Sequence, residues 1–251
     1  VKLRQNNLKK PVLVLGSVLP NEIEAALKHG VTLTVCSNEL LKELNKRAGL
    51  KRKKANIHFK VDTGMGRLGV WHDEAFDFIK LILGCRNLYL EGIYTHFSSA
   101  GRDEFFTNYQ LESFEKLLGQ FERDGLRVPL RHAANSIATI NIKRSHLNMV
   151  RPGIIIYGMY PKRNFARFFK LKPALSLKSK IVYLKETPEG RSISYGRTYI
   201  TDRDTKIATI PIGYADGYER ILSNKAYVLI RGQRARVVGK VTMDQMMIDV
   251  G

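Results

Sequence analysis

The chain has 251 residues, 44% of them hydrophobic, so it can bury a full core and is globular rather than disordered. No apolar run is long enough to span a bilayer, and the first residues lack the apolar stretch of a secretory signal, so we expect no membrane partner. The formal net charge is +19, and such an excess attracts polyanions. The densest basic run, at residues 51–54, lies in no recognisable nucleic-acid module, so a solvated helix end is favoured over nucleic-acid binding.

The first part of the chain alternates strand-like and helix-like segments. After a helix end that Pro11 closes, short apolar runs predict strands, and apolar residues at helical spacing predict the helices between them. Strands that alternate with helices form parallel sheets through right-handed crossovers, which indicates an α/β fold. The predicted strands are 12–15, 31–36, 55–61, 88–96, 128–132 and 147–150, and the predicted helices are 21–29, 38–48 (ended by Gly49), 73–83, 104–123 and a short one from Ser136.

The pattern changes after Pro173, where β-like runs follow one another without a convincing helix. The sequence therefore predicts two domains, at residues 1–171 and 172–251. The β-like runs of the second domain are 174–186, 206–212, 225–230 and 233–238.

Chemically suggestive residues follow four separate predicted strands, at 60–67, His96, 135–136 and 151–154. Functional groups at the carboxyl ends of successive strands are typical of a (β/α)8 barrel, whereas a doubly wound sheet collects them mainly at one switch point. Six predicted strands are fewer than the eight of a closed barrel. We therefore predict an incomplete (β/α)8 TIM-type barrel, cut at its N-terminal end, followed by part of an all-β C-terminal domain.

Three glycines surround Arg67 in the segment 55–69 and match the dinucleotide fingerprint G-x-G-x-x-G. The context is wrong, because two residues separate the strand from the first glycine and the next amphipathic segment begins only after the third. Glu91 lies at the distance expected of a ribose ligand, but in mid-strand. Because glycine permits positive φ and close approach of the backbone to a ligand, we interpret the segment as a loop that holds a cation over a ligand.

The cysteines and histidines predict no metal site. Cys36 and Cys85 lie in apolar runs, and the six histidines have no metal-ligand spacing. Free buried thiols are typical of a reducing compartment, so we expect a cytoplasmic protein.

Taken together, seven motifs resemble those of alanine racemase, a pyridoxal 5'-phosphate enzyme with an N-terminal barrel and a C-terminal β domain. They occur in the family's order, which is far more specific than any one motif alone. The motifs are Lys-Val-Asp-Thr-Gly-Met-Gly-Arg-Leu-Gly (60–69), Tyr-Thr-His-Phe (94–97), His-Ala-Ala-Asn-Ser (132–136), Met-Val-Arg-Pro-Gly-Ile (149–154), Ser-Tyr-Gly (194–196), Ile-Gly-Tyr-Ala-Asp-Gly-Tyr (212–218) and Met-Asp-Gln (243–245).

The resemblance implies two bases, one on each face of the substrate, since inversion at Cα requires both. One is the lysine that holds the cofactor, and the other is Tyr195, which reaches in from the partner subunit of a homodimer with shared active sites. A phenol with its usual pKa near 10 is a poor base at neutral pH and needs cationic or hydrogen-bonding neighbours. The family pattern suggests Arg220, His96 and Tyr214 for that role.

The resemblance also assigns the residues that bind the cofactor. Arg151 contacts the pyridine nitrogen with support from His132, and His96 lies against the ring. The phosphate is held by Ser136, at the start of a short helix that Asn135 opens, together with the backbone of Gly153 and Ile154.

Substrate-binding residues follow from the same resemblance. Arg67 contacts the cofactor phenolate and the substrate carboxylate, and the lysine that matches Lys60 can be carbamylated to position it. Met243 lines the substrate pocket, with Asp244 beside it.

Three departures from the family pattern stand out. The cofactor lysine of the first barrel strand and a C-terminal tyrosine near the phosphate have no counterpart, and the loop after Tyr-Thr-His-Phe, at residues 98–103, differs. We therefore expect this stretch to be inactive alone, while the intact enzyme would interconvert L- and D-alanine for peptidoglycan synthesis. A fusion with a cell-wall ligase is a further arrangement that the family allows.

Two other functions stay open at this point. One is a related racemase for serine, lysine or a broad range of amino acids. The other is a non-catalytic protein that binds pyridoxal phosphate or, given the charge, polyanions.

Overall fold

The structure, a computed structural model, describes residues 1–167 and 169–251. The chain forms two compact units, Val1–Ala174 and Leu175–Gly251, and each is described by itself. Within the described ranges, no helix has the length and apolar character needed to cross a membrane.

The first unit is a curled, parallel half-barrel sheet with helices, as predicted. The strands are β1 (Leu13–Val14), β2 (Thr32–Val35), β3 (Ala55–Asp62), β4 (Val70–Trp71), β5 (Leu88–Tyr94) and β6 (Leu130–His132), and the helices are α1 (Lys2–Gln5), α2 (Ile23–Lys28), α3 (Asn38–Leu50), α4 (Ala75–Leu83), α5 (Glu104–Arg123) and α6 (Ser136–Asn141). The sheet has the order β1-β2-β3-β5-β6, every pair is parallel, and the two-residue strand β4 pairs with the end of β3.

Three helices, α3, α5 and α6, begin at side-chain caps, and α3 and α5 each bury residues of one face. Asp103 caps the long helix α5 by accepting a hydrogen bond of 2.9 Å from Phe106 N. In α3 the chain continues past Gly49, where a helix end was predicted. A side chain at Gly49 would meet Asn87 Nδ2 at 2.7 Å, so this glycine allows a close approach inside the helix instead of ending it.

Strand β3 is buried on both faces. Ile57, Phe59 and Val61 are fully buried in the apolar core. The alternating positions His58, Lys60 and Asp62 are buried as well, on the opposite face of the strand. The half-barrel therefore has a polar interior lined by β3.

The predicted strand at 147–150 is wrong. Leu147 has a φ of +50°, which breaks an extended run. The segment makes a single backbone hydrogen bond to β6, from Asn148 N to Arg131 O at 3.3 Å, and its other hydrogen bonds to this part of the chain come from the Asn148 side chain. Asn148 Oδ1 accepts from Arg131 N at 2.7 Å, and Asn148 Nδ2 donates to Pro129 O at 2.7 Å. The sixth strand of the sheet is β4 instead.

The second unit is an antiparallel all-β unit, as predicted, with the strands β7 (Tyr183–Thr187), β8 (Ser192–Ile193), β9 (Tyr199–Ile200), β10 (Thr205–Ile210), β11 (Tyr227–Ile230), β12 (Gln233–Val238) and β13 (Met246–Asp249). The strand order is β11-β12-β13-β10-β7, with a separate β8–β9 hairpin, and Ala208, Val237 and Ile248 are fully buried in the core of this unit. The predicted run 174–186 is a strand only from Tyr183, and the strand at Met246–Asp249 was not predicted.

Candidate active site

The guanidinium of Arg151 is fixed at the carboxyl end of the parallel sheet. Its Nη2 donates to Thr95 O at 2.6 Å and to Ala133 O at 3.0 Å. Its Nη1 lies 2.5 Å from His132 Nδ1, and Nη2 lies 3.4 Å from His96 Nδ1. Three of the predicted site residues therefore meet around one cation.

The side chain of Tyr94 packs against both His132 and Arg151. Its ring stacks on the imidazole of His132, with centroids 4.7 Å apart and planes 6° from parallel. Its hydroxyl lies 2.8 Å from Thr34 Oγ1 and donates to Leu15 O at 2.9 Å. The Arg151 guanidinium carbon lies 5.0 Å from the centre of the same ring, a cation–π distance.

Burial and neighbouring cations lower the pKa of several basic groups. Burial lowers the pKa of Lys60 to about 7, and Arg151 and Arg67 push it in the same direction while Asp62 opposes them. Burial and Arg151 lower the pKa of His96 to about 4. The pKa of Arg151 falls to about 10, mainly through burial. At neutral pH, Arg151 is a cation and His96 a neutral imidazole.

The loop that carries Arg67 is shaped by a single carboxylate. Asp62 Oδ1 accepts hydrogen bonds from Gly64 N and Met65 N, both at 2.8 Å, and Oδ2 accepts from Gly66 N at 2.9 Å. Burial alone would raise the pKa of Asp62, but these three N–H groups and Lys60 lower it. Arg67 itself is exposed at the end of this turn.

Asn135 and Ser136 perform different structural tasks at the start of α6. Asn135 Oδ1 caps the helix by accepting from the backbone N–H groups of Ile137 and Ala138, both at 3.1 Å. Ser136 Oγ accepts from Gly153 N at 2.8 Å, so the two predicted phosphate-binding segments are joined. Ile154 begins the short helix that follows.

A buried glutamine connects two of the site loops. Gln110 on α5 donates from Nε2 to His96 O at 3.2 Å and lies 3.4 Å from Thr63 Oγ1, whose hydroxyl contacts Thr95 Oγ1 at 2.7 Å. The loops after β3 and β5 are thereby tied together. The sequence analysis missed Gln110, because only its burial within an amphipathic helix marks it.

In the second unit, the predicted site residues lie on exposed loops and short 3-10 helices. Tyr195 is 68% exposed and Met243 is 61% exposed. The loops of Tyr214 and Met243 are joined by backbone hydrogen bonds, from Tyr214 N to Thr242 O at 3.0 Å and from Ala215 N to Met243 O at 2.9 Å.

The segment 239–244, which carries Met243 and Asp244, also contacts the chain next to Tyr195 and Arg220. Ser194 Oγ, next to Tyr195, donates to Lys240 O at 2.7 Å. The short helix Arg220–Leu222 is followed by Ser223, whose Oγ accepts from Val241 N at 2.9 Å. Asp244 is exposed on the same segment. All the second-unit motifs therefore converge on one stretch of chain.

The structure thus brings His96, His132 and Arg151 together, places the Lys60 amine 5.1 Å from the centre of the same Tyr94 ring, and links Ser136 to Gly153. It also adds residues that the sequence analysis did not single out, chiefly His58 and Tyr94. The period-2 alternation of β3 was the available signal, because it places His58 on the face of Lys60.

Comparison with known proteins identifies the family. The model described as "Alanine racemase, N-terminal domain" matches residues 1–161, and that described as "Alanine racemase, C-terminal domain" matches 174–251. The alanine racemase of Halothermothrix orenii is 47% identical over 251 residues, which are all of this chain and 66% of that protein. That of Desulforamulus reducens is 45% identical over 253 residues, covering all of this chain and 68% of that protein.

Solved structures of alanine racemases are also similar to this chain. An alanine racemase from Clostridium difficile 630 has a TM-score of 0.91 and 38% identity, covering 99% of this chain and 66% of that one. The Bacillus anthracis alanine racemase with bound L-Ala-P has a TM-score of 0.86 and 38% identity, covering 99% of this chain and 65% of that one. The chain spans about two thirds of the length of the curated relatives it matches. It belongs to the alanine racemase family.

Proposed function

We propose that the protein containing this chain is a pyridoxal-phosphate-dependent racemase that interconverts L- and D-alanine for peptidoglycan synthesis. Membership of the alanine racemase family, combined with the half-buried cationic group around Arg151, carries this proposal. In this assignment residues 1–171 are part of the cofactor-binding barrel and residues 172–251 are part of the β domain.

The donor set of the first unit fits an anionic pyridine cofactor. Lys60, Arg67 and Arg151 lie close enough that both arginines lower the lysine pKa, so the site carries concentrated positive charge that an anion would neutralise. Ser136 already accepts a hydrogen bond from Gly153 N, and its own O–H can be donated to a phosphate oxygen.

Each residue then has a stated role toward the cofactor. Arg151 would face the pyridine nitrogen and His96 the ring, while Arg67 would bind the phenolate oxygen and the substrate carboxylate. The phosphate would be held by Asn135, Ser136, Gly153 and Ile154. When bound, pyridoxal phosphate supplies an electron sink that makes the Cα proton of an amino acid removable.

Arg151 would control the protonation of the ring nitrogen. A guanidinium has only donors and cannot accept a proton there, and with a pKa of about 10 it stays charged at neutral pH. His132 holds the guanidinium by accepting a hydrogen bond at 2.5 Å. This arrangement favours an unprotonated nitrogen that accepts from Arg151.

Lys60 and the second-unit residues complete the proposal. With a pKa of about 7, Lys60 is partly a neutral amine at physiological pH, the form that reacts with carbon dioxide to give the carbamate that would position Arg67. Tyr195 would act as the base on one face of the substrate, with Tyr214 and Arg220 as its supporting neighbours. Met243 would line the substrate pocket, with Asp244 beside it.

We also propose a homodimer with shared active sites and a cytoplasmic location. The exposure of Tyr195 supports the first, because a base that serves a partner subunit must project from its own surface. The two free cysteines, Cys36 and Cys85, support the second, because free thiols are typical of a reducing compartment.

The test is an assay of the protein that contains these residues, with conversion of L- to D-alanine followed by chiral chromatography and with serine and lysine as parallel substrates. We expect alanine to be converted fastest. Tyr195→Phe should lower kcat by about 10²–10⁴-fold, because it removes a general base. Tyr183→Phe is the matched control, since this tyrosine is 60% exposed and lies outside the proposed site.

Two outcomes would overturn the proposal. One is preferential conversion of another amino acid. The other is equal activity of the Tyr195→Phe and Tyr183→Phe variants.

A further inference from the structure

A line of polar groups runs from the half-buried Arg151 through the buried His132 and His58 to the half-buried Glu91. His132 Nδ1 lies 2.5 Å from Arg151 Nη1, and His132 Nε2 lies 2.8 Å from His58 Nδ1. His58 Nε2 in turn lies 3.4 Å from Glu91 Oε2. Four side chains from four separate segments are therefore connected in sequence.

Because the Arg151 guanidinium can only donate hydrogen bonds, it determines which nitrogen of each imidazole carries the proton. A guanidinium has only donors, so His132 must accept at Nδ1 and, as a neutral imidazole, carry its proton on Nε2. That proton points to His58 Nδ1, which must therefore accept, and His58 carries its own proton on Nε2, facing Glu91. Arg151 thus donates to His132 and His132 to His58, and the Nε2–H of His58 faces, at 3.4 Å, a carboxylate that only accepts when ionised.

Glu91 is held in place for this task by two further donors. Thr32 Oγ1 donates to Glu91 Oε2 at 2.9 Å, and Asn56 Nδ2 donates to Oε1 at 2.9 Å. Strands β2 and β3, on one side of β5, thus fix the carboxylate that lies 3.4 Å from His58 Nε2.

The sheet is built to accommodate His58. A side chain at Gly92 on the neighbouring strand β5 would lie 2.4 Å from His58 Cε1, so only glycine leaves room for the imidazole. The pairing of β3 with β5 shifts its register between Ile57 and His58, directly beside this glycine. A generic buried side chain would require neither feature.

We propose that His58 and Glu91 are positioning residues: they fix His132 in its Nε2–H tautomer and thereby orient Arg151 toward the pyridine nitrogen of the cofactor. The consequence for the cofactor rests on the proposed function, whereas the tautomers are a property of the chain itself. A proton added to either imidazole would place two N–H groups face to face and break the line.

The charged surroundings agree with two neutral imidazoles. Burial lowers the pKa of His58, Glu91 raises it, and Arg151 lowers it further. Burial lowers the pKa of His132 far below its usual range, and Arg151, His58 and Lys60 all act in the same direction. Both rings therefore stay neutral at physiological pH.

The first test uses the unsubstituted protein labelled with ¹⁵N-histidine and without cofactor. Imidazole nitrogen shifts at pH 7 should show His58 and His132 as neutral Nε2–H tautomers, with His146, which contacts Thr139 O at 2.9 Å, as the comparison histidine. An Nδ1–H tautomer or a doubly protonated imidazole for either ring at pH 7 would overturn the proposal.

The second test compares two substitutions at His58 by absorbance titration with pyridoxal 5'-phosphate. His58→Leu removes the acceptor for His132 and should weaken cofactor binding on the order of tenfold, as loss of a supporting hydrogen-bond partner typically does. His58→Gln retains one acceptor and one donor and should restore most of the affinity. Glu91→Ala should resemble His58→Leu, whereas the controls His146→Gln and Glu115→Ala should match the unsubstituted protein.

The outcomes distinguish a failure of the positioning role of His58 from a failure of the proposed function. Equal affinities for His58→Leu and His58→Gln would show that His58 only fills space, and the positioning role would be wrong. If the unsubstituted protein binds no pyridoxal 5'-phosphate, the proposed function is wrong, and the tautomers measured without cofactor still decide whether the line of hydrogen bonds exists.

Discussion

The two units hold their functional residues in different ways. In the first, His132 and Lys60 are buried; His132 contacts the imidazole of His58, and the Lys60 amine donates to Val61 O. In the second, Tyr195 and Met243 are largely exposed; backbone hydrogen bonds hold the Met243 loop, and the Ser194 hydroxyl, which donates to Lys240 O, holds the loop of Tyr195. The interior of the first unit itself shifts the pKa of its buried groups, whereas the protonation of an exposed side chain depends on what packs against it.

The largest effect on stability is expected from Arg151→Leu. The substitution leaves Thr95 O, Ala133 O and His132 Nδ1 without their donor in a buried site. The free energy of unfolding of the first unit should fall by about 3 kcal/mol, because unsatisfied buried acceptors retain their desolvation cost. Amide hydrogen exchange in β3 and β6 measures this loss.

Arg144→Leu is the control for that substitution. Arg144 forms an exposed ion pair with Glu115, so its removal should cost at most about 1 kcal/mol. Equal losses for the two variants would contradict the view that the first unit depends on a buried polar group.

A smaller loss is expected in the second unit from Gly213→Ala. The new Cβ would lie 2.3 Å from the Met243 carbonyl, so the two loops must separate. We expect about 2 kcal/mol of destabilisation, as for overpacking elsewhere, measured as faster amide exchange in β10 and β13. Gly217→Ala has open space and only a strained φ of +85°, so it should cost about 1 kcal/mol.

The third prediction concerns pH. In the unfolded chain Lys60 keeps its proton up to its ordinary pKa of 10.5, but in the folded chain it loses the proton near pH 7. Between these values the unfolded state binds more protons, so stability should rise with pH, by at most about 1.4 kcal/mol per pH unit.

Lys60→Met should remove this rise, as measured by urea denaturation at pH 7, 8 and 9. Lys80→Met, at a position 60% exposed, should leave it intact. An unchanged slope in Lys60→Met would show that the amine is not desolvated.

The smallest effect is expected from Tyr195→Phe. Its exposed hydroxyl is lost without leaving a buried partner, so the free energy of unfolding should change by less than about 0.5 kcal/mol. Tyr94→Phe in the first unit should cost about 1–2 kcal/mol, because Tyr94 donates to Leu15 O and contacts Thr34. If urea denaturation showed similar losses of unfolding free energy for Tyr195→Phe and Tyr94→Phe, the difference between the exposed residues of the second unit and the buried ones of the first would be contradicted.

Much of the architecture could be predicted from the sequence, because it depends on local periodicity. The helix at Glu104–Arg123 and the strand at Gln233–Val238 have the predicted bounds. The error at 147–150 arose because an apolar run has the same composition whether it pairs in a sheet or not. Only the φ of Leu147 and the side chain of Asn148 distinguish the two cases.

The polar interior could be predicted only in part. Arg67, His96 and Arg151 lie in distinctive motifs, but His58 is separated from its partner His132 by 74 residues, so no local pattern joins them. Glu91 entered the sequence analysis only as an argument against a nucleotide site. Its role depends on where three strands place it, which is a property of the sheet.

The carboxylate of Asp62 has a consequence for ligand binding. Because its three hydrogen bonds fold the turn before any ligand arrives, the segment that ends at Arg67 is preorganised. Docking of an anion is then not coupled to ordering of this backbone, and the binding free energy is available to orient the ligand instead.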